Sequence, residues 1–158
     1  QDLLNIKNQN TFIPEEVIMI EILRVTHTPI DSKIVGVRHQ LNQPVHYTVT
    51  YRESEIEIDS YIHSIQRGEI RKGYRFSASI PWGFHWLIGD PLDEKFRIPS
   101  LLHDDMCDKG VNGVNGELRD KAFRFLLKKE GVDSWKVRLM FKAVVKYREV
   151  KAKVKGWF

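Results

Sequence analysis

A chain of 158 residues, 42% apolar and 11% aromatic, has the length and composition of one folded domain with its own core, which excludes a disordered polymer. Its single cysteine, Cys107, excludes an internal disulfide and a four-thiolate zinc site, and no apolar run approaches the roughly 18 residues of a membrane span. The net charge of +4 is uneven, because residues 136–158 carry eight Lys/Arg against one acid, Glu149, which makes +7 there and −3 elsewhere.

Residues 1–14 are polar, rich in Asn and Gln, and end at Pro14, the composition of an arm ordered only by docking. Gln1 opens the sequence with no basic n-region, so no signal peptide is expected within it. From residue 15 to 80 the signals favour strands: Val17 to Val25, Ile34 to Arg38, the alternating Val45 to Tyr51, Glu55 to His63 and Gly68 to Phe76. Turns are expected at Thr28-Pro29, Asn42-Gln43-Pro44, Arg52-Glu53-Ser54 and Gln66-Arg67-Gly68.

After Pro81 an aromatic segment, Trp82, Phe84 and Trp86, reads as core and leads into the turn-rich Asp90-Pro91-Leu92-Asp93-Glu94. Helices follow. The first is expected over about 98–108 with Pro99 in its opening turn, and a glycine-rich loop precedes a second over about 117–130, stopped by Gly131. A third starts near Ser134 and repeats Val137, Met140, Phe141, Val144 and Val145 on one face. The short gap before it predicts an antiparallel helical hairpin. The chain is thus expected to be one α+β domain over 15–158: an N-terminal antiparallel sheet or small barrel (15–80) packed with three C-terminal helices (98–150).

Three polar residues interrupt the helical stripes: His103, Asp104 and Asp120. Adjacent helical positions diverge by ~100°, so His103 and Asp104 can flank one pocket from two directions, as a base beside a metal ligand would. Asp120, near the start of the next helix, can reach back to hold an imidazole nitrogen. The plainer reading has all three capping helix ends or complementing helix dipoles. Asp105 and Asp108 read as solvated acids, and Cys107, one turn after His103, as a buried thiol with a ligand or nucleophile role as the alternative. His85 reads as donating to a backbone carbonyl or joining the site. His27, His39, His46 and His63 are dispersed without ligand spacing.

The ordered segments Ala78-Ser79-Ile80-Pro81, Trp86-Leu87-Ile88-Gly89, Leu102-His103-Asp104, Asp120-Lys121-Ala122-Phe123, Arg138-Leu139-Met140 and Gly156-Trp157 resemble a small family carried in phage and prophage genomes, domain of unknown function 1353, over about 68–158. Its pattern runs T-D-x-A-S-I-P, H-D-x-x-Y and A-D-x-x-F. This chain departs from it with Phe76 where the first motif has an acid and Cys107 where the second has an aromatic, which implies a weakened site if that acid is a ligand in relatives. The His-Asp helix is also similar to that of phospholipase A2. That likeness implies His103 as general base for a water, Asp104 as calcium ligand and Asp120 as the residue orienting the histidine, with Gly89 to Asp93 standing in for the calcium loop, though its glycines and the family's disulfides are missing.

Two functions are therefore expected. The first is a phage virion or tail-associated structural protein, located in the particle or the host cytoplasm, that docks neighbouring subunits through its arm and basic C-terminal end; that end also suits an anionic membrane or nucleic acid. The alternative is a metal-assisted His/Asp hydrolase acting on a lipid or cell-envelope ester or amide, with His103 and Asp120 catalytic, Asp104 on the metal, and calcium or zinc as cofactor.

Overall fold

The first strand, β1 (Ile18–His27), turns Ile20 and Ile22 toward the interior and then Val25. A bulge between Ile22 and Arg24 makes this possible, since one extra residue switches the alternation and keeps the apolar side inward. The computed structural model describes residues 18–55, 60–78, 80, 84–109 and 114–155. The expected arm at 1–14 lies outside the described residues.

Gly36, at φ 64°, turns the chain between β2 (Ser32–Val35) and β3 (Arg38–Leu41), so the single strand expected over Ile34 to Arg38 is a hairpin. The central strand β4 (Val45–Glu55) buries Val45, Tyr47, Val49 and Tyr51 and pairs along its whole length with β5 (Ser60–Ile70). The turns expected at 52–54 and 66–68 therefore lie inside strands. Gly68 is a strand residue because the ring of Tyr47, its cross-strand partner, lies over it. A short β6 (Arg75–Phe76) pairs with β3. Among the described residues this gives two antiparallel three-stranded sheets, β1-β4-β5 and β2-β3-β6, and neither closes into a barrel.

The helical half opens with a single turn, α1 (His85–Ile88), followed by α2 (Glu94–Asp108). α2 begins four residues earlier than expected because the Asp93 side chain accepts from Lys95 N at 2.9 Å, and Pro99 consequently sits inside the helix. α3 (Val114–Lys129) ends as expected at Gly131, whose φ of 79° lets Gly131 N reach Lys128 O and Val132 N reach Leu127 O, both at 3.1 Å. α4 (Ser134–Lys155) returns antiparallel to α3, with the Arg124 guanidinium over the Phe141 ring. No described helix is long and apolar enough to cross a membrane.

Two apolar cores result. One joins the strands to α2 and α3 through Leu41, Val49, Phe76, Leu101, Leu102, Met106 and Leu118. The other joins α1 to α4 through Ile88, Phe96, Phe123, Leu127, Val137 and Met140. Removing Leu102, fully buried between α2 and the sheets, costs about 2–5 kcal/mol on truncation to alanine. Contrary to the expected aromatic core, Phe84 and Trp86 are exposed, Trp86 by 82%, and Trp82 lies outside the described residues.

Candidate functional site

α2 lies between the two cores and presents different side chains to each. Leu101, Leu102, Asp105 and Met106 are buried, whereas His103, Asp104 and Cys107 border a hollow that α3 and α4 close from the other side. The hollow measures about 490 Å³ and is lined by these three, by Asp120 and Arg119 of α3, and by Val144, Tyr147, Arg148 and Lys151 of α4. The three residues singled out by pattern thus converge on one space. A second hollow, a few ångströms across, is shared by Ser100, His103 and Asp104.

Asp120 is the centre of the polar cluster. It is 1% exposed, accepts His103 Nε2 at 3.1 Å on Oδ1 and Arg148 Nε at 2.7 Å on Oδ2, and has Arg119 Nε 3.9 Å from Oδ1. Each carboxylate oxygen is therefore engaged, which is how a buried acid is tolerated. The His103 ring is fixed a second time by Phe123, 4.8 Å between centroids. Cys107 Sγ stands 3.8 Å from His103 Nδ1 and 3.9 Å from Nε2.

Burial works against a charged imidazole here, yet the bonds from Asp120 and Cys107 outweigh it and His103 is held up at about 9. Burial also pushes the Asp104 carboxyl up to about 6, against the pull of His103 and a backbone hydrogen bond from Ser77. Between those values one of the two groups carries a proton to give and the other can take one.

The donor set does not fit a calcium or zinc centre. Among the described residues no group of three His, Cys, Asp or Glu is arranged to hold a metal ion. In the segment likened to a calcium loop, Asp90 accepts Leu92 N at 2.9 Å and Asp93 caps α2, so both carboxylates serve the backbone.

Sequence pattern missed one participant, Arg148, and one buried acid beside the site, Asp105. Arg148 reads as one charge of a basic end, but it continues the stripe Val137, Phe141, Val144 by another turn and so meets Asp120. Asp105 reads as a solvated acid but is 4% exposed, accepting Tyr47 Oη at 2.8 Å and pairing with Lys109 Nζ at 2.7 Å. Asp108 is exposed and accepts the Tyr74 hydroxyl. His85 lies outside the cluster, with Nε2 3.1 Å from Ile80 O, as the backbone-carbonyl reading expects. Phe76 stacks on His39 in the first core at 5.2 Å and does not line the hollow.

A family model described as "Protein of unknown function (DUF1353)" matches residues 55–144. The chain belongs to this family. The match starts before the expected residue 68, taking in β5, and ends ahead of Arg148; it contains His103, Asp104, Cys107 and Asp120. No curated protein and no solved structure matches the chain.

Proposed function

We propose that this chain is a His/Asp hydrolase of lipid or cell-envelope esters or amides. The observation that carries the reading is a buried, doubly fixed imidazole that opens, beside a carboxyl of near-neutral pKa, onto a hollow large enough for an acyl group. Asp120 orients His103 through Nε2, and Nδ1 is the ring nitrogen left to exchange the proton. At pH 7 to 8 Asp104 takes a proton from the attacking water and His103 gives one to the leaving group. Arg119, Arg148 and Lys151 around the same hollow favour a substrate with an anionic group near the scissile bond. The phospholipase A2 likeness supports Asp120 as the residue orienting His103; it implies His103 as the base for a water, a role that falls here to Asp104 because His103 holds its proton up to about pH 9. It does not extend to Asp104 as calcium ligand, and no step is assigned to a metal.

The test is hydrolysis of p-nitrophenyl acyl esters and of anionic phospholipid vesicles by the purified chain. His103→Ala is expected to lower turnover by about 10²–10⁴-fold, and the native rate is expected to peak between about pH 6 and 9. Native-like turnover by the folded variant removes the reading.

A second reading, a phage virion or tail component, is favoured by a different observation. Among the described residues β5 is an edge strand, and Tyr61, Ile62 and Ile65 on it are exposed, a surface suited to strand pairing with a neighbouring subunit. Light scattering of the purified chain tests it: a monomer at all concentrations, unchanged by Ile62→Lys, speaks against it.

A further inference from the structure

We infer that Cys107 is the nucleophile of the hydrolase proposed above, on which this inference rests, and that it carries the acyl group as a transient thioester before water releases it. Cys107 follows His103 by one helical turn, so both side chains leave the same face of α2. Sγ lies within 3.8 Å of Nδ1, while Asp120 holds Nε2 at 3.1 Å and leaves Nδ1 free for exchange with the sulfur. Nucleophile, base and orienting carboxylate thus form a chain of contacts. All three side chains line the same hollow of about 490 Å³, whose wall also carries Arg119 and Arg148, cations on the side where negative charge would develop on an attacked carbonyl.

The step balances as follows. The resting pair is the Cys107 thiolate and the His103 imidazolium, the thiol proton having passed to the ring; the thiolate attacks the carbonyl carbon, and the bond to the leaving group breaks as that group takes the proton from His103. Water then loses a proton to Asp104, its oxygen attacks the thioester carbonyl, and the C–S bond breaks to release the acid and the thiolate. Asp104 passes its proton back to His103. The sum is ester and water to acid and alcohol.

The full chain has one cysteine, so thiol chemistry reports Cys107 alone. Iodoacetamide is expected to alkylate the native protein at least about tenfold faster than His103→Ala or His103→Gln, each checked for folding by circular dichroism. Incubation with p-nitrophenyl butyrate should add a butyryl mass to the native chain and none to Cys107→Ala, which should also lose about 10²-fold or more in hydrolysis. Equal alkylation of native and both folded His103 variants overturns the inference. Native-rate hydrolysis by Cys107→Ala overturns it too, but leaves the hydrolase reading intact with water attacking directly. An acyl adduct that forms on Cys107 and persists without turnover supports the nucleophile and removes the hydrolase reading.

Discussion

α2 meets two buried carboxylate clusters of opposite design, one on each side. Asp105 faces the strands, where Tyr47 Oη and Lys109 Nζ hold it, and Lys109 in turn donates to Glu69 O at 2.9 Å, so the cluster ties helix to sheet. Asp120 of α3 meets the other side of the same helix through His103, and its cluster borders a hollow. Both are satisfied electrostatically. The second borders room for another molecule, beside a carboxyl, Asp104, that burial pushes up to about 6, and that combination marks a site rather than a clamp.

The contrast is open to direct attack. The largest expected effect is on turnover: His103→Ala loses about 10²–10⁴-fold in ester hydrolysis, whereas Tyr47→Phe keeps the native rate. Next is stability. Asp120→Asn leaves Arg148 and His103 facing a neutral amide and is expected to cost about 3–5 kcal/mol in urea unfolding. Because His103 is raised from 6.5 to about 9 on folding, its contribution is fully present below about pH 6.5 and is lost as pH rises through about 9. Native protein should therefore lose about 3 kcal/mol across that window, and His103→Ala should not.

Smaller effects refine the picture. Tyr47→Phe deletes one bond to a buried acid that keeps Lys109, for a cost of about 1–2 kcal/mol. Asp104 has its pKa raised from 3.8 to about 6, so its folded state prefers the neutral carboxyl and that preference is lost as pH rises through about 6. Asp104→Asn is accordingly expected to gain about 1 kcal/mol at pH 7 by thermal unfolding while lowering turnover, a stability–activity exchange that the Asp105 cluster should not show.

How much of this was legible in the sequence depended on the range of the interaction. Alternation along Val45 to Tyr51, the stop at Gly131 and the meeting of His103 with Asp120 follow from local periodicity and a short loop, and the structure has all three. The bulge between Ile22 and Arg24, the placement of Gly68 within a strand and the burial of Asp105 depend on partners remote in sequence, Tyr47 above all, which no local pattern encodes. Arg148 was hidden differently: net charge masked a position that helical phase marks as inward. The expected start of α2 near residue 98, with Pro99 in its opening turn, lies four residues too late because Asp93, a better cap, is upstream.

Gly68 ties these regions together. A Cβ at that position would collide with the Tyr47 ring, which lies flat across it while its hydroxyl grips Asp105. Alanine there would lever the ring outward and loosen the rod bearing His103 from its seat on the strands. A hydrogen atom in place of a methyl group thus sets how closely that rod can lie on the sheet.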